Sequence, residues 1–336
     1  MSVLVTGVAG FIGSHVARRL LGRGETVIGI DNMNDYNPVA LKRARLDAVR
    51  AVSADRFTFH ELDFSDHEAL DTALATADFD RIVHLGAQAG VRYSITNPRA
   101  YVASNLAGHL NMLELARGRS VRHMVYASSS SVYGTSPDLP FKVESRVDFP
   151  ISLYAATKKS DELMSEAYAH LYRIPQTGLR FFTVYGPWGR TDMAVWGFTD
   201  KIMNGQPIEV YNNGVMQRDF TFIDDIVTGI LASLDSPPAD DGREKAGGSV
   251  SPHRLYNIGN NRAEQLETLI ACIEKACGIP AIRINKPMQP GDVPATYADL
   301  TAITQDLGFS PTTPIEVGIP IWVDWYREYS ARRHAA

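Results

Sequence analysis

The sequence is poor in cysteine and has no long apolar run. Its two cysteines, Cys272 and Cys277, are too few for the disulfide framework of a small secreted protein. A structural zinc site needs four nitrogen or sulfur ligands, so we predict no metal site and expect both thiols to be core residues in a reducing compartment. No run of about 20 apolar residues and no charged leader is present. We therefore expect no membrane span and a cytoplasmic location.

The sequence also lacks any block of like charge. It has 33 lysines and arginines against 38 aspartates and glutamates, a net charge of −5. This balance argues against nucleic acid or an anionic membrane as the main partner. The hydrophobic share of 45% and the charged share of 21% exclude disorder, collagen and coiled coil. At roughly 150 residues per domain, the 336 residues correspond to one large domain or two unequal ones.

What the first half does contain is an alternation of short apolar runs with longer amphipathic stretches. This order predicts an α/β fold, a Rossmann-type doubly wound parallel sheet with helices on both faces. The predicted strands are residues 3–5, 26–30, 57–60, 81–85, 123–127 and 177–181. The predicted helices are residues 11–23, 41–49, 67–75, 99–117 and 154–172.

The second half breaks into shorter elements separated by Gly, Pro and Asn. We predict a dinucleotide-binding domain over residues 1–180, with returning segments from the C-terminal half, and a smaller α/β lobe for the substrate over residues 181–336. Residues 235–253 are rich in Pro, Gly and charge and show no periodicity, which predicts a mobile surface loop without a chemical role.

A glycine pattern follows the first predicted strand and opens the first predicted helix. Gly7, Gly10 and Gly13 would let the backbone approach a pyrophosphate. The helix start, with Phe11 and Ile12, would stabilise that anion through unpaired N–H groups and the helix dipole. Taken alone, three glycines equally fit an ordinary tight turn.

An acidic residue at the end of the second predicted strand favours a dinucleotide. Asp31 lies 24 residues after Gly7, where a carboxylate can accept both ribose hydroxyls of an adenosine. The same carboxylate would repel a 2′-phosphate and no arginine follows it immediately, so NAD is favoured over NADP. Asp63 and Phe64 would lie beside the adenine ring, although an acidic residue at this point also fits a helix cap.

A phenol and an ammonium lie one helical turn apart at Tyr154 and Lys158. A free tyrosine ionises near pH ~10, and an adjacent cation together with a positive nicotinamide ring would favour the phenolate. Upstream, a serine run from Ser128 to Ser131 ends the fifth predicted strand, at the sheet edge where α/β proteins bind ligands. Each feature alone also fits surface decoration or a solvated loop, but their combination in this order is specific.

These features resemble the extended short-chain dehydrogenase/reductases of the nucleotide-sugar branch, the NAD-dependent epimerase/dehydratase family, over nearly the whole chain. Within that branch, five stretches resemble the UDP-glucuronate 4-epimerases. These stretches are residues 31–36, 87–94, 128–134, 153–159 and 180–190. The sequence departs from the family pattern at Gly86, where alanine is usual, and at Asn37-Pro38, where Tyr-Asp is usual.

The resemblance implies roles for individual residues. Tyr154 would be the base, Lys158 would anchor the nicotinamide ribose and lower the pKa of Tyr154, and Ser129 would hydrogen-bond the C4 oxygen of the sugar. Arg218 would pair with the diphosphate, and Arg92 would lie near the sugar or phosphate or be structural. Further implied cofactor contacts are Asn32 and Ala87, and further implied contacts along the UDP are Gln289 and Asp292.

The residues after Ser129 separate this branch from its neighbours. Ser130 and Ser131 occupy positions that are Asp-Glu in related 4,6-dehydratases, and the second position is glutamate in related UDP-glucuronate decarboxylases. Neutral hydroxyls can instead donate to a substrate carboxylate. Thr183, which replaces the usual asparagine of galactose-type enzymes, and Arg190 could add contacts to the same group, although an arginine at such a loop position is often only a surface residue.

The resemblance implies an isomerase with tightly bound, recycled NAD. It would convert UDP-glucuronic acid into UDP-galacturonic acid through a 4-keto intermediate, without decarboxylation. The alternatives are a UDP-glucose/UDP-galactose 4-epimerase, a UDP-glucuronate decarboxylase, and a non-catalytic NAD-binding scaffold or RNA-associated protein. Apolar residues on more than one face of predicted helices 99–117 and 154–172 predict a homodimer through these two helices.

Overall fold

Aliphatic and branched runs form the strands, because such side chains pack on both faces of a parallel sheet. The computed structural model describes residues 2–288 and 293–335. Its strands are β1 (Ser2–Thr6), β2 (Thr26–Asp31), β3 (Phe57–Glu61), β4 (Arg81–His84), β5 (His123–Ser129), β6 (Gln176–Phe181), β7 (Thr183–Tyr185), β8 (Ile208–Tyr211), β9 (Gln217–Phe222), β10 (His253–Ile258), β11 (Ala263–Gln265) and β12 (Arg283–Lys286). Its α-helices are α1 (Phe11–Gly22), α2 (Val39–Arg50), α3 (His67–Ala73), α4 (Tyr93–Thr96), α5 (Pro98–Tyr101), α6 (Gly108–Gly118), α7 (Leu153–Tyr172), α8 (Ala194–Met203), α9 (Ile223–Asp235), α10 (Leu266–Cys277), α11 (Thr301–Leu307) and α12 (Ile315–Ala335).

Seven strands form one parallel sheet in the order β10-β6-β5-β4-β1-β2-β3. The chain runs outward from β1 to β3 and then crosses back to β4 on the other side of β1. At such a switch point, the loops at the carboxyl ends of the strands separate and leave a crevice for a ligand. The predicted doubly wound parallel sheet is confirmed.

Side chains alternate between the two faces of this sheet. On β1, Val3 and Val5 join one buried cluster, whereas Leu4 joins a second cluster with Ile28 and Ile30 of β2. Helices cover both clusters, since a parallel sheet must bury both of its faces.

The second half of the chain builds two small sheets, β11-β9-β7 and β12-β8, and returns β10 to the edge of the main sheet beside β6. The stretch between α9 and β10 consists of turns and bends, and most of its residues are exposed. One ion pair ties it to the end of α7, between Arg173 and Asp240.

The predicted helix over residues 99–117 is present, but it is not α-helical throughout. The structure has α5, then a π-helical segment at Val102–Ala107, and then α6. A π turn holds one extra residue and often marks a functional site. Here the segment directs the side chain of Asn105 into the protein, where it is 1% exposed.

Both thiols are unpaired, with Cys277 buried and Cys272 half-buried on α10, as the sequence predicts for core residues. None of the helices in the described part of the chain has both the length and the apolar character of a membrane span.

Candidate active site

The glycine loop joins β1 to α1 at the switch point. Gly7 has a φ of +67°, and a Cβ atom at Gly13 would lie 2.1 Å from the carbonyl oxygen of Gly7. Among the described residues, no side chain caps α1 at Gly10. The N–H groups of the first turn, which begins with Phe11 and Ile12, are therefore left for an anion. This cradle fits the pyrophosphate of NAD.

Asp31 ends β2 beside the glycine loop. One of its carboxylate oxygens accepts the Ala9 N–H at 3.1 Å, and the other accepts the Met33 N–H at 2.9 Å and the Lys42 ammonium at 3.2 Å. A carboxylate offers about four acceptor positions, so Asp31 keeps capacity for a ribose hydroxyl. Lys42 is a cation beside Asp31 that the sequence argument missed.

Asn32 and Asp63 meet where the adenosine would lie. Asn32 donates to Asp63 at 2.9 Å, and Asp63 also accepts the N–H and the hydroxyl of Ser65. Burial opposes ionisation of Asp63, yet these hydrogen bonds hold its pKa below the usual value. The Phe64 ring is buried and packs 5.2 Å from the His84 ring, so Phe64 faces the core and not an adenine.

The loop after β4 carries Ala87, which is partly exposed. Asn105 of the π-helical segment accepts the Gln88 N–H at 2.8 Å and donates to the Gln88 carbonyl at 3.1 Å. The Nδ2 atom of Asn105 also donates to the Thr157 hydroxyl at 3.0 Å. The segment therefore joins this loop to α7, the helix that carries Tyr154.

Tyr154 and Lys158 lie one turn apart on α7. Tyr154 is partly exposed, and its ring lies 6.0 Å from the ring of Tyr101. The buried Lys158 ammonium donates to the Ala127 carbonyl at 2.9 Å and to Asp161 at 3.0 Å. An ammonium has three donors, so the contacts among the described residues leave one for a cofactor ribose. Burial raises the pKa of Asp161 to about 6, although Lys158 opposes this shift.

The serine run ends β5 and enters a 3₁₀ turn, Ser130–Tyr133, which packs against α7. Ser129 caps this turn by accepting the Ser131 N–H at 3.1 Å. Ser130 and Ser131 are partly exposed. The serine run at the end of β5 and the helix that carries Tyr154 and Lys158 are therefore in direct contact.

A buried ion pair between α7 and β6 contacts the start of the serine run. Glu162 on α7 accepts two hydrogen bonds from Arg180 on β6, at 2.8 and 3.0 Å, and one from the Ser128 hydroxyl at 2.6 Å. Arg180 also donates to the Tyr133 hydroxyl at 3.0 Å and to the Val143 carbonyl at 3.1 Å. Burial opposes the charge of Glu162, but Arg180 holds its pKa below the usual value.

Thr183 begins β7 and Arg190 follows it in the next loop. Arg190 makes a bidentate ion pair with Asp192, at 2.9 and 2.5 Å. The Tyr36 hydroxyl donates to the same carboxylate at 2.9 Å. Burial opposes the charge of Arg190, but Asp192 raises its pKa above the usual value. The Nε atom and one Nη atom are engaged, and the other Nη atom makes no hydrogen bond within the described residues.

The remaining predicted substrate contacts within the described residues are Arg92, which directly precedes α4, and Arg218 on β9. The Arg92 guanidinium stacks 5.6 Å from the centre of the Tyr211 ring. Arg218 on β9 donates to the Pro294 carbonyl at 3.3 Å. Two predicted contacts, Gln289 and Asp292, lie outside the described residues.

Comparison with known proteins covers nearly the whole chain. Residues 4–321 match the family model described as GDP-mannose 4,6 dehydratase. Protein CapI of Staphylococcus aureus is 47% identical over 335 residues, which are 98% of this chain and 99% of that protein. UDP-glucuronate 4-epimerase 1 of Arabidopsis thaliana is 44% identical over 336 residues, which are 98% of this chain and 77% of that protein.

Solved structures of related proteins have the same fold as this chain. The crystal structure of UDP-glucuronic acid 4-epimerase from Bacillus cereus, in complex with UDP-glucuronic acid and NAD, superposes with a TM-score of 0.86 at 30% identity, covering 98% of this chain and 100% of that one. The chain belongs to the UDP-glucuronate 4-epimerase family. The family predicted from the sequence is confirmed.

Several side chains that support the site of this epimerase family member were not among the residues predicted from the sequence. Asp161 was detectable in principle, because a carboxylate three residues after Lys158 shares its helix face. Lys42 and Asn105 left no such signal, because their partners lie in other segments of the chain and only the folded chain brings each pair together. Asp192 lies two residues after its partner Arg190, but no helix periodicity in this loop predicts that they meet.

Proposed function

We propose that this protein converts UDP-glucuronic acid into UDP-galacturonic acid by inverting C4, through a 4-keto intermediate and without releasing CO2. The observation that carries this proposal is the set of side chains at the end of β5. The three residues from Ser129 to Ser131, beside the helix that carries Tyr154, all have hydroxyl side chains. None of the three is a carboxylate that could catalyse elimination or decarboxylation. Membership of the UDP-glucuronate 4-epimerase family supports the same substrate.

NAD is the cofactor. Gly7, Gly10 and Gly13 receive its pyrophosphate, Asp31 receives the adenosine ribose, and Lys158 receives the nicotinamide ribose through its remaining donor. When bound, NAD would supply the acceptor for hydride from C4 of the sugar and then the donor that returns it, so it would be recycled. Asn32 and Asp63 line the adenosine side.

Tyr154 is the base in this proposal. Its phenolate oxygen takes the proton of the C4 hydroxyl and gives it back after the sugar has turned over in the cleft. The Lys158 cation stabilises the phenolate, and the Ser129 hydroxyl holds the C4 oxygen. No net proton is consumed over the cycle. The Lys158 ammonium is buried beside Asp161.

A second requirement concerns the substrate carboxylate. The 4-keto sugar is a β-keto acid, which loses CO2 when the carboxylate bond lies perpendicular to the carbonyl plane. Ser130, Ser131 and Thr183 donate to the carboxylate, and Arg190 adds a charge-assisted hydrogen bond from its remaining Nη atom. These contacts keep the carboxylate bond out of that alignment.

The nucleotide half of the substrate extends toward the second lobe. Arg218 pairs with the diphosphate, and Arg92 lies over the sugar or phosphate. Gln289 and Asp292 complete the UDP contacts in this proposal. The sheet of residues 1–180, with β10 returned to it, holds the cofactor, and residues 181–336 hold most of the UDP-sugar.

The decisive experiment follows the purified protein with UDP-glucuronic acid, without added NAD, by NMR in heavy water. We expect inversion at C4 with no deuterium uptake, because hydride stays within the bound cofactor, and no pentose product. Tyr154→Phe should retain NAD and lose interconversion. A pentose product would identify a decarboxylase, and turnover of UDP-glucose alone would identify the galactose-type enzyme; either outcome overturns the proposal.

The carboxylate contacts have a separate test. Replacing Thr183 with Ala or Arg190 with Met should raise the CO2 released per turnover, which radiolabel at C6 measures. An unchanged product ratio in both variants would contradict the role given to these residues.

We further propose a homodimer through the face formed by α6, the π-helical segment and α7. Val102, Leu110, Leu163 and Leu171 are exposed on these elements, the last two at 60% and 66%. Burial of such residues against a twofold mate removes apolar area from water. Light scattering should show a dimer that Leu163→Glu converts to monomers, whereas Val317→Glu on α12 should leave it intact. A monomeric parent protein refutes this interface.

Two free thiols suit a reducing compartment, and we propose a cytoplasmic location, where fractionation of the source cells should recover the activity.

A further inference from the structure

A buried arginine beside the glycine loop has no carboxylate in hydrogen-bond contact among the described residues. Arg45 on α2 is 1% exposed. Its guanidinium donates to the Trp188 carbonyl from Nε and Nη2, at 3.1 and 2.7 Å, to the Gly189 carbonyl at 2.9 Å and to the Ala9 carbonyl at 3.2 Å. Burial lowers its pKa to about 10, with Asp31 opposing that shift. Arg45 is therefore still charged at neutral pH.

These carbonyls belong to two separate loops. Ala9 lies in the glycine loop, and Trp188 and Gly189 directly precede Arg190. Trp188 has a φ of +65°, a left-handed conformation that is strained for a bulky residue and persists only where its surroundings hold it. Arg45 donates two hydrogen bonds to the carbonyl of this strained residue.

Neighbouring hydrogen bonds cross the same boundary. Asn37 accepts both the N–H and the hydroxyl of Thr191 at 3.3 Å, and Tyr36 donates to Asp192. Asn37 is one of the positions at which this chain departs from the usual family pattern. The segment after β2 and the loop that carries Arg190 are thus joined on both sides of Arg190.

We infer that Arg45 is a positioning residue, which fixes the Trp188–Gly189 backbone and thereby aims the Arg190 guanidinium at the substrate carboxylate. This inference rests on the role of Arg190 in the proposed function. Specificity for a carboxylated sugar is then set partly from α2, on the cofactor side of the cleft.

The test compares the binding of UDP-glucuronic acid with that of UDP, by calorimetry in a Tyr154→Phe background that stops turnover. UDP lacks the glucuronate, so the ratio of the two dissociation constants reports the sugar contacts. Arg45→Met should reduce the preference for UDP-glucuronic acid about tenfold, the expected cost of one charge-assisted hydrogen bond. Arg45→Lys should recover only part of it, since one ammonium cannot reach three carbonyls. Arg43→Met, an exposed arginine on the same helix, is the matched control and should change neither constant.

A double variant separates positioning from general structure. If Arg45 acts through Arg190, Arg45→Met with Arg190→Met should lower the preference no further than Arg190→Met alone. Additive losses would overturn the inference, as would equal loss of both ligands together with bound NAD. If Arg45→Met does not fold, Asn37→Ala tests the same loop by the same ratio, and an unchanged ratio in both Asn37→Ala and Arg45→Lys overturns the inference.

The result is independent of catalysis. An Arg190-dependent preference without epimerisation in the parent protein would refute the proposed reaction and leave the positioning role intact. Epimerisation by the parent protein, with a preference that Arg190→Met does not change, would leave the proposed reaction intact and refute the positioning role.

Discussion

Replacing Glu162 with glutamine should destabilise the folded protein by about 3–5 kcal/mol, the usual cost of removing one partner from a buried ion pair. Glu162 and Arg180 are 2% and 1% exposed. Glutamine keeps the shape and one acceptor oxygen, so the Ser128 contact can survive. The Arg180 charge, however, would remain buried without its carboxylate, and its partners would be the neutral glutamine oxygen, the Tyr133 hydroxyl and a carbonyl.

A surface pair provides the matched control. Glu328 and Arg332 on α12 contact at 3.4 Å and are 69% and 80% exposed, so Glu328→Gln should cost less than about 1 kcal/mol. Urea unfolding of the NAD-saturated proteins, followed by circular dichroism and tryptophan fluorescence, measures both changes. Coincident transitions by the two probes are required for the free energies to be comparable.

The pH dependence of this difference has a definite sign. The pKa of Glu162 is lower in the folded protein than its ordinary value, so its contribution is complete above pH ~4.3 and is lost as the pH falls through the folded value. The difference in stability between the parent protein and Glu162→Gln should therefore begin to shrink below pH ~4.3 and disappear only below the folded pKa of Glu162. A cost under about 1 kcal/mol at pH 7, or a difference unchanged between pH 7 and 3, would refute the electrostatic account.

Two further substitutions test the cofactor and lysine sites. Gly13→Ala should abolish NAD retention, because its Cβ would lie 2.1 Å from the Gly7 carbonyl oxygen, whereas Gly22→Ala on the same helix, with no atom within 4 Å of the new Cβ, should retain it; equal NAD content by absorbance would contradict this. Asp161→Asn removes the anion beside Lys158. In the proposed mechanism the uncompensated Lys158 charge should then favour the Tyr154 phenolate and move the acid limb of kcat to lower pH, by up to roughly one unit. A pH profile of kcat that is unmoved, or moved to higher pH, would contradict this account.

Local sequence patterns predicted the strands of the main sheet well. Hydrophobic periodicity located β1 to β6 of the main sheet within one or two residues, since most of these strands are buried on both faces and contain a short apolar run. The edge strand β3 is an exception, with exposed residues at Thr58 and Glu61. The same rules placed Tyr154 and Lys158 one turn apart and put Ser129 at a strand end. Where a parallel strand ends, its last side chains reach the ligand edge of the sheet, so sequence position translates directly into site position.

The rest depends on contacts between distant segments. The π-helical segment replaced a predicted α-helix because the extra residue lets Asn105 reach the loop after β4, a partner that helix periodicity does not encode. Phe64 was expected beside the adenine, yet its ring fills the space opposite Gly86, where a Cβ would lie 2.5 Å from that ring. Glycine at that position, unusual for the family, is explained by the buried ring.

Charge at this site is largely balanced before any ligand binds. Three cations that would serve anionic ligands already have carboxylate partners within the chain: Lys42 with Asp31, Lys158 with Asp161, and Arg190 with Asp192.

This pairing changes what Arg190 can contribute. A substrate carboxylate reaching Arg190 meets a guanidinium whose charge is already offset by Asp192, so the net attraction is smaller than for an unpaired arginine. The bidentate pair and the Tyr36 hydroxyl instead fix the plane of the guanidinium and leave one Nη atom to donate. In the proposed function, Arg190 would therefore distinguish a carboxylate from a neutral hydroxymethyl group mainly by the direction of one hydrogen bond. Direction is also what a 4-keto uronic acid requires, because the orientation of its carboxylate decides whether CO2 is lost.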